Sequence, residues 1–175
     1  MFHNAQFWIG QLKLTKHIEG GWFSEVYKSE LLLQSSQLPA NFPTGSERHC
    51  STHIYFLLEK KQFSALHRIK SDELWHFYAG DPLVVYEIEP SGKLTEHLLG
   101  NDSQKNQRLF TVIKAGSWFG AALPPASEYA LTGCTVSPGF DYADFELAEK
   151  ENLLELYPQH AGLINSLTYP NKIQN

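Results

Sequence analysis

The sequence predicts a mainly β fold, a sandwich or barrel, with a short helix before it and helices after it. Three observations lead there. Short apolar, β-branched and aromatic runs recur between residues 51 and 147, separated by turn signals at near-regular spacing. No strand–helix–strand alternation occurs, which excludes a doubly wound nucleotide-binding fold. Helical periodicity is confined to the two ends of the chain.

In chain order, residues 4–14 read as a helix, with Ala5, Trp8, Ile9 and Leu12 on one face and Asn4 as N-cap. The pair Gly20-Gly21 ends any regular element, and Trp22 to Leu33 reads as a strand. Residues 34–49, rich in Ser, Pro, Asn and Gly, read as a long loop. Strands are then predicted over 52–58, 63–69, 74–78, 83–88, 94–99, 109–113, 118–123, 129–136 and 142–147. The turns Ala79-Gly80-Asp81-Pro82 and Glu89-Pro90-Ser91-Gly92 punctuate them. Residues 148–156 read as a helix stopped by Pro158, and 160–167 as a second short one before Pro170.

A chain of 175 residues is one domain here, with the barrel over about 20–147 and the C-terminal helices over about 148–168. The net charge of -5 and the lack of a basic stripe argue against a nucleic-acid partner. Cys50 and Cys134 stand far apart without metal-ligand spacing, so they read as reduced thiols. The N-terminus lacks a basic segment followed by a long apolar run, and no apolar stretch reaches the roughly 20 residues of a membrane span. A cytoplasmic protein without a membrane partner is the expectation.

The densest chemistry lies in His67-Arg-Ile-Lys-Ser-Asp-Glu-Leu-Trp-His-Phe-Tyr-Ala-Gly80. Strand alternation places Phe63, Ala65, His67 and Ile69 on one face, and Glu73, Trp75 and Phe77 on one face of the next strand. His76 and Tyr78 then fall on the opposite face. If His67 and Glu73 both point inward, they form a polar pair among aromatics, as in a small-molecule site.

The spacing from His67 through Glu73 to Gly80 resembles the first motif of the cupin β-barrels, and 113–119, with Gly116, resembles the second. Longer phrases are similar to an RmlC-like, single-domain cupin family of unknown function: HIEGGWFSEVYKSE (17–30), STHIYFLLE (51–59), LHRIKSDELWHFYAGDPL (66–83), VIKAGSWFGAAL (112–123) and GCTVSPGFDYADFEL (133–147). The resemblance implies a double-stranded β-helix, a jelly-roll cupin barrel, and a homodimer pairing through N-terminal strands. Metal-binding cupins use three histidines and a glutamate. Here Ile69 and Phe119 stand where two of the histidines would be, which leaves His67 and Glu73 as an incomplete ligand set for a divalent metal.

Two catalytic residues are expected from the resemblance, His67 and Glu73. The sugar-nucleotide epimerases of the RmlC-like group use a histidine base, which implies an isomerase or epimerase acting on a sugar or nucleotide sugar. Glu73, Asp141 or Asp144 would fix the His67 tautomer, and Tyr27 or Tyr78 would act as the opposing acid. Arg48 would bind an anionic group of the substrate, or lie as an exposed loop residue. Trp75, Trp118 and Phe119 would stack on the ligand or pack the core. Glu19 either holds its loop or reaches the pocket rim. The competing readings are a non-catalytic metabolite-binding module and a metal-dependent enzyme using His67, Glu73 and water.

Overall fold

Residues 3–170 are described by a computed structural model. The chain opens with α1 (Ala5–Gln11), whose N-cap Asn4 accepts a hydrogen bond from the Phe7 N–H at 2.9 Å. There follow β1 (Thr15–Lys16), β2 (Trp22–Lys28), β3 (Leu32–Leu33), β4 (Arg48–His49), β5 (Thr52–Glu59), β6 (Phe63–Arg68) and β7 (Asp72–Gly80). Then come β8 (Leu83–Ile88), β9 (Leu94–Leu99), β10 (Phe110–Ile113), β11 (Trp118–Ala122), β12 (Tyr129–Ser137) and β13 (Glu146–Leu147). The helices α2 (Lys150–Leu156) and α3 (Ala161–Ser166) close the chain.

Two antiparallel sheets carry the fold. One has six strands in the order β1-β2-β5-β12-β7-β10, and the other five in the order β13-β6-β11-β8-β9. Their inner faces meet in one core. Phe56, Leu58, Trp75 and Phe77 come from the larger sheet, and Leu83, Val85, Phe119 and Ala121 from the smaller. This is the jelly roll that the resemblance implied, and a form of the sandwich or barrel that the strand pattern predicted. The outer faces are covered by the ends of the chain. Trp8, Ile9 and Leu12 of the N-terminal segment pack on Leu57 and Leu131, behind the six-stranded sheet. Leu153, Ile164 and Leu167 pack on Leu66, Ile88 and Trp118, behind the five-stranded sheet. Each large side chain so buried contributes about 1.5–3 kcal/mol.

Burial alternates along β7 as expected, with Glu73, Trp75 and Phe77 inside and His76 and Tyr78 outside. Strand β6 departs from strict alternation. Phe119 faces His67, yet Ala121 faces Ser64, so β6 carries an extra residue against β11. This bulge turns Ser64 and His67 to one face although they are three apart. Phe63, expected beside His67, instead packs with the C-terminal helices.

A second departure lies at 142–147. Only Glu146–Leu147 is a strand there, and Tyr142–Asp144 forms a 3-10 turn. The Asp141 carboxylate accepts from the Ala143 N–H at 2.8 Å, and the following Asp144 is buried against Arg48. Such capping favours a turn over an extended strand.

Candidate functional site

The bulge in β6 leaves two backbone N–H groups without ladder partners, and distant segments supply them. The Ala65 N–H donates to the Glu19 carbonyl at 2.7 Å, and the Leu66 N–H to the Leu167 carbonyl at 2.7 Å. The first of these bonds draws residues 17–21 across the seam between the two sheets. Gly20 and Gly21 make the passage possible: both have positive φ, and a Cβ on Gly20 would collide with the Phe63 carbonyl. The Glu19 side chain is thereby carried inward, where it is 6 % exposed.

Within the barrel, Glu19 Oε1 accepts from the Ser64 hydroxyl at 2.9 Å. Its Oε2 lies 3.2 Å from His67 Nε2 and 3.5 Å from His17 Nδ1. The tautomers follow from the remaining bonds. His67 Nδ1 sits 2.7 Å from the Ala65 carbonyl, which only accepts, so Nδ1 bears the proton and Nε2 is left as an acceptor. His17 Nδ1 accepts the Glu19 N–H at 3.4 Å and is likewise unprotonated. Two imidazole acceptors, His67 Nε2 and His17 Nδ1, therefore face one carboxylate oxygen, Glu19 Oε2. Such an arrangement takes up a proton.

Burial sets where that proton resides. Desolvation depresses His67 to about 4, opposed by its bond to the Ala65 carbonyl. Desolvation raises Glu19 to about 6, against the lowering effects of His17 and the Ser64 hydroxyl. Both shifts favour the neutral forms over an ion pair. The His67 ring is held in place by Phe119 at 4.1 Å and Phe145 at 5.3 Å between centroids.

Glu73 enters from β7 and lines the same cavity. Desolvation, then the charge of Glu19, pushes its carboxyl up to about 8, with the Cys134 thiol and the Trp75 indole acting in the opposite sense. The Trp75 Nε1–H leans toward that carboxyl without forming a hydrogen bond of good geometry, and it is buried without another partner. Cys134 is itself raised well above the ordinary thiol range by burial and by Glu73, which keeps it a thiol at neutral pH.

The cavity measures about 630 Å³ including its open mouth. His17, Glu19, Thr52, His67, Glu73 and Cys134 form its polar part, Ile54 and Val136 its apolar wall, and Phe23, Glu25, Phe140 and Tyr142 complete the lining. This is the usual composition of a small-molecule site.

Of the residues expected from sequence, His67 and Glu73 come together here. Phe119 contributes by packing on His67. The others are placed elsewhere. Trp75 is core, edge-on to Phe56. Trp118 lies behind the five-stranded sheet with the Arg68 guanidinium 4.5 Å above it. Tyr27 and Tyr78 are on the outer face of the six-stranded sheet, where the Tyr78 hydroxyl meets His53 Nε2 at 3.1 Å. Asp141 caps the 3-10 turn. The Arg48 fork is closed on Asp144 at 2.6 and 2.8 Å, so it has no free face for an anion. The carboxylate beside His67 is Glu19, rather than Glu73, Asp141 or Asp144. Glu19 had one signal in the sequence, the adjacent glycine pair that marks a close backbone approach. Ser64 had none, because a bulge cannot be read from alternation.

The four-ligand metal pattern of cupins does not fit these residues. Ile69 and Phe119 occupy two ligand positions as buried apolar side chains, and both nitrogens of His67 already face the Ala65 carbonyl and Glu19. Among the described residues no three His, Cys, Asp or Glu side chains are grouped to hold an ion.

A family profile described as cupin superfamily (DUF985) matches residues 6–148. The chain belongs to this cupin family. It is similar to a hypothetical protein from Leishmania major, 35% identical with a TM-score of 0.87, covering 96% of this chain and 100% of that one. It is also similar to a protein of Shewanella oneidensis, 38% identical with a TM-score of 0.84, covering 97% of this chain and 100% of that one. An uncharacterized protein of Saccharomyces cerevisiae is 27% identical over 157 residues, 84% of this chain and 76% of the yeast protein. Oxalate decarboxylase of Bacillus subtilis shares the fold alone, at 16% identity and a TM-score of 0.53, over 90% of this chain and 38% of that one. Among the described residues no helix is long and apolar enough to cross a membrane.

Proposed function

We propose that this cupin catalyses proton transfer on a small molecule, as an isomerase or epimerase. The Glu19–His67 pair is the base and Glu73 the acid. The observation that carries the reading is two buried carboxyls on one cavity displaced to either side of neutrality, near 6 and near 8. Two like groups with separated pKa values are what acid–base assignment at neutral pH requires. In the step, the Glu19–His67 pair takes a proton from carbon next to a carbonyl. Glu73 gives its proton to the carbonyl oxygen, forming an enol. Glu73 then recovers a proton from an enol hydroxyl while one proton is added to carbon. Return by the Glu19–His67 pair to the former carbonyl carbon of an enediol is an isomerisation, and delivery from solvent to the opposite face of the original carbon, with the pair giving its proton to solvent, is an epimerisation.

Within the sugar and nucleotide-sugar class, the reading narrows to compounds without phosphate. No lysine or arginine lines the cavity, so a diphosphate would have no counter-charge there.

Solvent-deuterium incorporation into hydroxyacetone and into its trimethylammonio and carboxy derivatives, followed by proton NMR, tests the chemistry. Exchange above the buffer rate is expected for at least one compound. Its pH profile should be bell-shaped, rising near 6 as Glu19 is freed and falling near 8 as Glu73 loses its proton. Binding of these compounds without exchange would reduce the protein to a metabolite-binding module.

The homodimer belongs to the same proposal. Exposed Tyr27, Tyr78 and Phe110 on the back of the six-stranded sheet support it. Sedimentation at micromolar concentration tests it, and a monomer there would remove it.

A further inference from the structure

The mouth of the cavity has a chemistry different from its interior. Glu25 and Tyr142 are both exposed residues and both line the cavity, so they stand where it opens. Phe140 lies beside Tyr142, edge to face at 5.1 Å and 81°, and Phe23 lines the cavity from β2. The Glu25 carboxylate makes no ion pair or side-chain hydrogen bond among the described residues. No lysine or arginine joins this rim. Arg48 is forked onto Asp144, and Lys70 Nζ lies 3.9 Å from the same Asp144.

Aromatic side chains around an uncompensated carboxylate form a receptor for positive charge. The negative faces of the rings and the carboxylate act in the same direction, and a bulky alkylated ammonium fits such rings without needing its own hydrogen bonds. An anionic group would meet the same carboxylate with no cation to offset it. We infer that the rim formed by Phe23, Glu25, Phe140 and Tyr142 selects a small organic cation, an alkylated or protonated amine, and holds that end of the ligand at the mouth. The remainder of the ligand then reaches inward to Glu19 and Glu73. This rests on the acid–base reading for the position of the reacting carbon, but the charge preference at the rim does not depend on it.

Choline and 3,3-dimethylbutan-1-ol have nearly the same shape and isolate the positive charge, and 3,3-dimethylbutyrate tests a small anion of similar size. Calorimetric titration of the full chain at pH 7 should show choline bound about tenfold or more tightly than the neutral alcohol, and no binding of the carboxylate. Glu25→Gln and Tyr142→Leu change exposed side chains, so they keep the fold. Each should lower choline affinity about three- to tenfold while leaving the alcohol unchanged. Glu25→Lys should reverse the order and admit the carboxylate. Equal binding of choline and the alcohol, preference of the native chain for the carboxylate, or no choline binding up to about 10 mM overturns the inference. None of the three probes has a carbonyl to enolise. Failure of the charge preference is therefore separate from failure of deuterium exchange, and either can occur without the other.

Discussion

Two glutamate–histidine pairs join the sheets of this barrel, and their surroundings give them different work. Glu87 and His97 lie toward one seam, with His97 Nε2 2.9 Å from Glu87 Oε2. Every polar atom there is spent: Glu87 Oε1 accepts the Lys114 N–H at 3.1 Å, and His97 Nδ1 is hydrogen-bonded to the Thr111 hydroxyl at 2.8 Å. The pair thus ties β8 and β9 of one sheet to β10 of the other. Glu19 and His67 span the opposite seam at 3.2 Å, but here acceptors converge and a donor is missing. The second pair also faces a cavity that holds another carboxyl, and the first does not line that cavity. The same two residue types therefore make a pin where donors and acceptors balance, and a proton-handling site where they do not.

The comparison breaks most visibly in activity. Glu19→Gln removes the carboxylate that accepts the proton and should lower deuterium exchange by about 10²–10⁴. Glu87→Gln should leave exchange within about threefold of the native rate. Equal losses from the two substitutions, measured by NMR on folded samples, would mean that the pairs do not differ in kind.

Stability should show the reverse order. Glu87→Ala leaves the His97 ring N–H and the Lys114 N–H without acceptors and should cost about 2–4 kcal/mol in urea denaturation. Glu19→Ala removes a carboxyl that burial already disfavours, and should cost about 1 kcal/mol less than that. A larger loss at Glu19 would assign it a structural role.

The smallest expected effect depends on pH. The native carboxyl of Glu73 titrates near 8, above its ordinary 4.5, so the folded state holds this proton more tightly than the unfolded state does. Its contribution is complete below the unfolded value and is lost as pH rises through about 8. Glu73→Gln abolishes that loss. The variant should match the native protein near pH 4 and exceed it near pH 9, by on the order of 2 kcal/mol. Unfolding curves that shift in parallel at both pH values would show that Glu73 is not raised. His67 works in the opposite direction: its value, depressed to about 4, contributes stability above 6.5 that is lost as pH falls through 4.

Much of the fold was legible because local rules dominate it. The bounds of β8 and β9 are those predicted, since each is flanked by turn residues that leave no choice. The inward set of β7 followed from alternation alone. The strand expected at 142–147 was not legible as a turn, because its conformation depends on the Arg48 guanidinium arriving from another segment to bury Asp144. In the site, His67 and Glu73 stood out through their motif spacing. Tyr78 and Trp118 fall on outer faces for a reason of parity, and Arg48 is unavailable for a reason of partnership.

By itself the sequence determined the strand pattern, the helical ends, the membership of a cupin family and two of the polar residues on the cavity. These are properties of short segments, where side-chain period, turn chemistry and spacing act within a few residues. Only the tertiary structure decided which carboxylate meets His67. That choice depends on an unpaired N–H at the β6 bulge capturing the Glu19 carbonyl across 46 positions of chain, 19 to 65, and on two glycines permitting the approach. Tertiary structure also decided the charge states, because desolvation belongs to the assembled cavity and to no segment of the chain.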